Sequence, residues 1–416
     1  MSINFFNNFF HRHYLSSDSY LEIKELLNLV EKKIGYPDIK TLDSATGTEV
    51  LVEGKKMLMF GSYNYLGLAN NTEVKEKAKE FLTKFGIGTG GVRLLTGNMI
   101  IHEKMEKLVA DFTGYHSSIS IASGFGTNSG VIPAVANLLG FDKFIHARDL
   151  VIFSDEYNHA SIVDGCRLSK AIVKIYRHND ISHLEQQLSR YKKYRKLIIT
   201  DGVFSMDGDV ARLDKIIDLA KEYGALTMVD DAHSVGILGK NGAGTAEHFD
   251  RLGQVDINMG TFSKGIGVSG GFVAGNNDLI KFLKIACRTY MFSDSLSPAI
   301  VGGVVGSLDF IKNHPEIREN LKNNYNFFNS ELRKIGFSTF NSTTQIVPLF
   351  VGDDKKTMDF FRELFDYGIF APVVRWPAVP KKTGRIRFSI MAIHTKEQIN
   401  KALNIIEKVG KKLKII

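Results

Sequence analysis

The chain has few of the residues that mark extracellular or fibrous proteins. Only two cysteines, Cys166 and Cys287, occur among 416 residues, and they lie far apart without a CxxC pair or a cluster of histidines. A disulfide framework and a zinc site are therefore not indicated, no metal is expected, and a cytoplasmic location is predicted. With 8 prolines, 44% hydrophobic and 24% charged residues, the composition is that of a globular protein and not of a disordered chain.

Long uninterrupted apolar runs are also missing. The phenylalanines between residues 5 and 10 are separated by polar residues, which is unlike a signal peptide or a membrane span and leaves only peripheral membrane contact open. Together with His11 and His13, this segment predicts a short amphipathic arm that packs on the body or on a partner subunit. The net charge of +8 is spread along the chain, so nucleic-acid binding is not expected.

Strands and helices alternate from residue 118 to residue 274. Short β-branched runs are followed by segments with apolar residues at helical spacing, such as Ile181–Tyr191 and Leu213–Tyr223. This alternation predicts an α/β fold with a mostly parallel sheet. The predicted strands are Ser118–Ala122, Leu150–Phe153, Ala171–Ile175, Leu197–Asp201, Leu226–Asp230, Val255–Gly260 and Gly271–Ala274.

The pattern changes after Pro298. A long helical stretch runs to about Gly336 with a break at His314-Pro315, and strands are predicted near Ile346–Val351 and Arg385–Ser389 before a last helix that Thr395 would cap. These features predict an N-terminal segment over residues 1–58, a large domain over 59–300 and a small α+β domain over 301–416.

Polar side chains end three of the predicted strands. Asp230 and His233 follow one strand, Ser205 follows another, and Thr261 and Lys264 follow a third. In open parallel sheets the binding crevice lies at the carboxyl ends of the strands, so we expect these side chains to meet there.

These residue types fit pyridoxal 5'-phosphate (PLP). A partly desolvated lysine among glycines can bind an aldehyde as a Schiff base, and Asp230 can keep a pyridine nitrogen protonated while His233 and Ser205 reach the phenolate. The glycine-rich turn at Gly124–Asn128 joins a strand to a helix and could bind the phosphate, although such turns also serve close packing.

The chain from about Lys55 onward resembles the α-oxoamine synthases, which are fold-type I PLP-dependent transferases with helices on both faces of the central sheet. Seven segments carry the resemblance: Asn64–Leu68, Asn158–Ser161, Asp201–Gly208, Val229–Ser234, Gly260–Lys264, Phe292–Pro298 and Arg385–Ser389. The resemblance implies condensation of an amino acid with an acyl-CoA or acyl-carrier thioester, loss of CO2, and a homodimer with shared active sites.

Specific roles are implied by the same resemblance. Lys264 would bind the cofactor and remove the α-proton, and His159 would stack on the ring, although a histidine there could also simply start a helix. Arg387 would grip the amino-acid carboxylate with help from Asn64, unless it is a surface arginine on a strand. Residues implied to hold the cofactor are Gly124, Phe125, Asn128, His159, Ser205, Asp230, His233, Thr261 and Lys264, with Ser293 and Ser295 reaching the neighbouring subunit's phosphate.

Within the family, the motifs are most similar to bacterial serine palmitoyltransferases, which favours serine and a long-chain acyl thioester. Other segments resemble glycine C-acetyltransferase and 8-amino-7-oxononanoate synthase. Val92 stands where relatives have smaller or hydroxyl residues and would favour glycine, and Arg375-Trp376 lengthens a loop near the substrate. A catalytically idle partner subunit and a PLP aminotransferase or β-eliminating enzyme are the alternatives from other classes.

Overall fold

The computed structural model describes residues 19–33, 39–137 and 149–416. The phenylalanines, His11 and His13 of the predicted arm lie outside these residues. No helix in the described ranges is long and apolar enough to span a membrane. The strands are β1 (Glu49–Val52), β2 (Lys55–Met59), β3 (Ser117–Ile121), β4 (Leu150–Asp155), β5 (Ile172–Tyr176), β6 (Arg195–Asp201), β7 (Leu226–Asp230), β8 (Ile257–Thr261), β9 (Gly271–Gly275), β10 (Ile346–Gly352), β11 (Ile369–Phe370), β12 (Val373–Val374) and β13 (Gly384–Ser389).

The helices between them begin where the sequence provides caps or good helix formers. Asp180 caps one helix by accepting from the backbone of His183, and Thr395 forms a capping box with Gln398 at the last one, as predicted. The α-helices are α1 (Ser19–Lys33), α2 (Thr72–Phe85), α3 (Ile100–Thr113), α4 (Gly124–Asn137), α5 (Ala160–Ser169), α6 (Ile181–Arg190), α7 (Leu213–Tyr223), α8 (Thr245–His248), α9 (Asn277–Ala286), α10 (Arg288–Met291), α11 (Pro298–Asn313), α12 (Glu316–Ile335), α13 (Asp354–Asp366) and α14 (Lys396–Lys412).

The central sheet has the strand order β3-β9-β8-β7-β6-β4-β5. β5, β4, β6, β7 and β8 pair in parallel, and β9 is antiparallel to both of its neighbours. All seven predicted strands are therefore present, with ends that differ by at most two residues, and the predicted fold class is confirmed.

Both faces of this sheet are covered by helices. Along β4, Ile152 packs into a cluster with residues of α4, α5 and α9, whereas Val151 and Phe153 pack with residues of α6 and α7. Strands that are buried on both faces need continuous apolar sequences. This explains the hydrophobic runs within β4 and β6. Each fully buried Leu, Ile or Phe side chain contributes about 1.5–3 kcal/mol.

Two smaller sheets complete the fold. β10, β13 and β12 form an antiparallel sheet, and the β1–β2 hairpin is extended by β11 in parallel. The hairpin was not predicted, and its third strand comes from the C-terminal part of the chain. The predicted boundary 58/59 therefore falls inside β2, and the boundary 300/301 falls inside α11. The division into an N-terminal segment, a large domain and a small domain stays a prediction.

His178 connects the segments that contain Asp155 and Asp209 by hydrogen bonds. His178 lies between two carboxylates, with Nδ1 3.0 Å from Asp155 Oδ1 and Nε2 2.8 Å from Asp209 Oδ2. Its ring stacks on Tyr157 at 4.4 Å. Partial burial disfavours the charged form, but hydrogen bonds and charges of both carboxylates outweigh it and raise the pKa of His178 to about 10.

This cluster makes stability depend on pH. Because the pKa of His178 is raised from 6.5 to about 10, its contribution is complete below pH 6.5 and is lost as the pH rises toward 10. We expect His178→Gln to lower the melting temperature markedly at pH 6.5 and much less at pH 10, as measured by differential scanning calorimetry. His116→Gln, at an exposed position, serves as the control. A pH-independent difference between wild type and His178→Gln would contradict the charged cluster.

Candidate active site

The predicted crevice exists at the carboxyl ends of β4, β6, β7 and β8. It is a cavity of about 230 Å³. Eight of the thirteen predicted site residues line it: Gly124, Phe125, His159, Ser205, Asp230, His233, Thr261 and Lys264. Residues that sequence reasoning had not assigned to the site also line it, among them Ser161, Asp201 and Ser263.

The amine of Lys264 lies at the centre of the polar wall. Its Nζ is 2.9 Å from His233 Nε2, and it lies 5.7 Å from the centre of the Tyr63 ring. Burial lowers the pKa of Lys264 to about 8, although the charges of Asp230 and Asp201 oppose this change. About a tenth of the amine is therefore uncharged at neutral pH, and a nucleophilic lysine requires this uncharged form.

Asp230 ends β7 and is held on both oxygens. Oδ2 accepts a hydrogen bond from Asn128 Nδ2 at 2.6 Å, and Oδ1 accepts one from the backbone N–H of Ala232 at 2.9 Å. Asn128 was predicted to bind the cofactor, but the structure places it behind the carboxylate and not on the cavity wall. It orients Asp230 because α4 brings the amide across the end of β7.

His159 both starts α5 and lines the cavity, and its stacking on the cofactor ring stays a prediction. Its Nδ1 accepts from the backbone N–H of Ser161 and lies 2.7 Å from the Ser161 hydroxyl. That hydroxyl also accepts from Asn128 at 2.9 Å, so its hydrogen is directed to His159. Burial lowers the pKa of His159, which favours the neutral ring.

The glycine-rich turn begins α4 beside Thr261. A Cβ atom at Gly271 would lie 2.6 Å from Thr127 Oγ1 and 2.9 Å from the backbone nitrogen of Gly124, so only glycine allows β9 to approach the start of this helix. The close packing that was the alternative explanation of the turn is therefore real. Gly124 and Phe125 nevertheless line the cavity. Their backbone N–H groups lie at the start of α4 and can therefore bind an anion there.

Arg387 and Asn64 lie beside the cavity without lining it. Arg387 is only 2% exposed, so it is not a surface arginine of β13. Its guanidinium donates to the Ser205 carbonyl, to the Ser389 hydroxyl at 3.3 Å and to the Tyr65 hydroxyl at 3.4 Å. Asn64 accepts from the backbone of Ala69, and its buried Nδ2 has no hydrogen-bond partner among the described residues.

Ser293 and Ser295 do not line the cavity of this chain. Ser295 donates to the Gly91 carbonyl at 3.3 Å, and a β-bridge joins Val92 to Asp294. Val92 is therefore part of a loop contact and is not on the cavity wall. Arg375 and Trp376 lie half-buried between β12 and β13.

Comparison with known proteins connects this geometry to relatives. The aminotransferase class I and II family model matches residues 55–406. The 8-amino-7-oxononanoate synthase of Thermoanaerobacter pseudethanolicus is 44% identical over 396 residues, which cover 95% of this chain and 98% of that protein. A serine palmitoyltransferase from S. paucimobilis with PLP and myriocin superimposes with a TM-score of 0.88 at 33% identity, covering 97% of this chain and 100% of its own. An 8-amino-7-oxononanoate synthase from Francisella tularensis superimposes with a TM-score of 0.72 at 27% identity, covering 86% and 98%.

The chain belongs to the α-oxoamine synthase family. It is a PLP-dependent acyltransferase of fold type I, and its reaction is a decarboxylative condensation of an amino acid with a thioester. The cavity of this α-oxoamine synthase fits PLP. It offers a buried carboxylate, an amine of lowered pKa and the open start of a helix within one space.

A second buried carboxyl group lies next to Asp230. Asp201 ends β6 and is the register partner of Asp230 on β7. Its Oδ2 accepts from the backbone N–H of His159 at 3.1 Å, and its Oδ1 has no partner among the described residues. Burial, followed by the charge of Asp230, raises the pKa of Asp201 well above its ordinary value. Burial and the neighbouring carboxylate therefore favour the protonated form of Asp201.

The two acids are expected to respond differently to an amide substitution. Asp201→Asn should keep PLP affinity within about threefold of wild type, because the neutral form of Asp201 is already favoured. Asp230→Asn should weaken PLP binding by about 10- to 100-fold, since it removes a charge-assisted hydrogen bond. Titration of PLP by absorbance measures both, with melting temperature as the folding control. Equal losses in the two variants would contradict the different roles of the two acids.

Proposed function

We propose that this α-oxoamine synthase uses the cavity residues to convert a small amino acid and an acyl thioester into an α-amino ketone. The supporting observation is the convergence of a lysine amine whose pKa is lowered to about 8 with the buried Asp230 in one cavity. When bound there, PLP supplies an aldehyde that bonds to amines and a ring that accepts an electron pair from the amino acid.

The roles proposed for the ring follow from the contacts. Lys264 Nζ would hold the aldehyde and would accept the proton from the α-carbon of the substrate. Asp230, held by Asn128, would pair with the ring nitrogen. His159 would lie against the ring, and His233 would donate to the phenolate together with Ser205.

The two ends of the site follow from the surrounding elements. The backbone N–H groups of Gly124 and Phe125 bind the phosphate with Thr261, as expected at the start of a helix. Arg387 binds the substrate carboxylate. Three of its five N–H groups are already used by protein acceptors, so two remain for a bidentate contact. The unpartnered Nδ2 of Asn64 is available as a further donor.

The similar proteins favour one pair of substrates, a particular amino acid and a particular acyl thioester. The 44% identity to an 8-amino-7-oxononanoate synthase over 95% of the chain favours the same product here. The name of that product places an amine and a methyl group beside the ketone, which is what alanine leaves after loss of CO2, and a carboxylate at the far end of the acyl chain. We therefore place alanine and a dicarboxylic acyl thioester first.

The sequence motifs favoured serine with a long-chain acyl thioester, and this remains the second candidate. It is supported by the TM-score of 0.88 to a serine palmitoyltransferase, compared with 0.72 to an 8-amino-7-oxononanoate synthase. A catalytically idle partner subunit is disfavoured, because an idle subunit has no chemical need for a lysine whose pKa is lowered to about 8.

The partner is proposed to be a second copy of this chain. Apolar side chains are exposed on two loops that the bridge between Val92 and Asp294 holds together: Ile87 is 78%, Leu95 79% and Phe292 65% exposed. Exposed apolar groups at this density mark an interface. Ser293 belongs to the same surface and lies outside its own cavity, as a residue that contacts the neighbouring site must.

A substrate matrix tests the proposed reaction. Glycine, alanine and serine are each combined with short, long-chain and dicarboxylic acyl-CoA, and free thiol and product mass are measured. We expect the fastest thiol release with alanine and the dicarboxylic thioester, and a loss of about 10²- to 10⁴-fold in Lys264→Ala because general base catalysis is removed. Keto-acid formation without thiol release would indicate transamination. A preference for serine and a long chain would select the second candidate.

Dimerisation is tested by placing a charge on the exposed loops. Leu95→Glu should convert the dimer into monomers in sedimentation velocity and weaken PLP binding by about tenfold, because the proposed contacts to the neighbouring phosphate are lost. Ile175→Glu is the matched control, since Ile175 is 51% exposed on β5 at the opposite edge of the sheet. A wild-type monomer that binds PLP fully would overturn the shared site.

A further inference from the structure

A continuous hydrogen-bonded chain connects Lys264 to Arg387. Lys264 Nζ lies 2.9 Å from His233 Nε2, His233 Nδ1 lies 2.8 Å from the Tyr65 hydroxyl, and that hydroxyl lies 3.4 Å from Arg387 Nη2. All of these groups are buried or part-buried. We infer that Tyr65 is a positioning residue: it fixes the tautomer of His233 that carries its proton on Nε2, so that an N–H faces the cavity.

The direction of each hydrogen bond follows from what the groups can do. A guanidinium has no acceptor, so Arg387 donates to the Tyr65 oxygen. The Tyr65 hydroxyl has one hydrogen, and its shortest contact is to His233 Nδ1 at 2.8 Å. The Ser389 hydroxyl also bonds to Tyr65, but it accepts from Arg387 and has a hydrogen of its own to donate to the Tyr65 oxygen. Nδ1 of His233 is then the acceptor, and in a neutral imidazole the proton must lie on Nε2.

The protonation states of the neighbours agree with this direction. Burial, followed by the nearby cations Lys264 and Arg387, lowers the pKa of His233 well below its ordinary value, so the ring is neutral. Burial raises the pKa of Tyr65 to about 12, so the phenol keeps its hydrogen. Above the pKa of about 8 of Lys264 the amine is uncharged, and the Nε2–H of His233 can then donate to its lone pair at 2.9 Å.

The backbone of His233 is fixed independently of its ring. Gln345 Nε2 donates to the His233 carbonyl at 2.9 Å, and Tyr63 packs edge-on to the ring at 5.8 Å. Without the Tyr65 hydroxyl the ring would therefore stay in place, but its two tautomers would no longer differ by a hydrogen bond. Tyr65 would thus control where the proton lies and not where the ring lies.

This inference rests on the proposed function in one respect. The Nε2–H that Tyr65 selects is the donor proposed for the phenolate of PLP, and the opposite tautomer would present a lone pair to that oxygen and repel it. The tautomer itself belongs to the protein without cofactor, so it is measurable even if the proposed function is wrong.

The test is nitrogen NMR of the full-length chain labelled with ¹⁵N-histidine, recorded with and without PLP. His233→Asn identifies the signals of His233. In wild type at about pH 9, where most of the Lys264 amine is uncharged, we expect a protonated Nε2 and an unprotonated Nδ1. In Tyr65→Phe the Nδ1-protonated form should become populated. The loss of one hydrogen bond should lower the population ratio of the Nε2-protonated to the Nδ1-protonated tautomer by about tenfold.

Tyr325→Phe is the matched control. Tyr325 lies in the same apolar cluster as Tyr65 and is 7% exposed, so it loses the same hydroxyl from the same core without touching the cavity. It should leave the His233 signals and PLP binding unchanged. Tyr65→Phe should also slow the addition of PLP to the chain by about tenfold, measured by the rise of absorbance.

The outcomes separate the two claims. Unchanged His233 signals in Tyr65→Phe, with a melting temperature close to that of Tyr325→Phe, would overturn the inference. A shifted tautomer in a chain that binds no PLP would uphold the role of Tyr65 and reject the proposed function.

Discussion

The active site depends on the cost of keeping a charged amine out of water. Burial lowers the pKa of Lys264 to about 8 even though two acids lie nearby. For one of these acids, Asp201, burial and the charge of Asp230 favour the protonated form, which weakens its charge compensation of the amine. The amine therefore remains partly neutral and reactive. A fully ionised pair of acids would have held the proton on the lysine and removed its nucleophilicity.

The parallel sheet creates this arrangement. Because β6 and β7 pair in register, Asp201 and Asp230 are forced side by side, and two like charges at that separation disfavour each other. The neutral acid then serves as an acceptor for the backbone of His159. His159 and Lys264 thus owe their positions and protonation states to neighbouring strand ends, which is why substituting one acid should affect the site differently from substituting the other.

Local sequence patterns were enough to predict the strands of the central sheet and seven residues of its cavity wall, and the family resemblance added His159. Leu226–Asp230, for example, is an apolar run ending in an acid, and both the strand and the position of Asp230 follow from that pattern. The β1–β2 hairpin could not be predicted, since β11 joins it from more than three hundred residues away. Tyr65 was missed for the same reason. Its partners His233 and Arg387 lie far along the chain, and nothing local distinguishes a buried tyrosine in a hydrogen-bonded chain from one in an ordinary core.

Two arginines of the C-terminal sheet contact the loop that follows β6 and contains Ser205. Arg387 on β13 donates to the Ser205 carbonyl, and Arg385 on the same strand pairs with Asp207 at 2.6 Å. The opposite end of that loop is held by His178 through Asp209. Any movement of β13 relative to the large sheet must therefore move Ser205 together with the guanidinium of Arg387. Since Arg387 also contacts Tyr65, the proposed binding of a substrate carboxylate to this arginine would act on the same hydroxyl that we infer to orient the proton of His233.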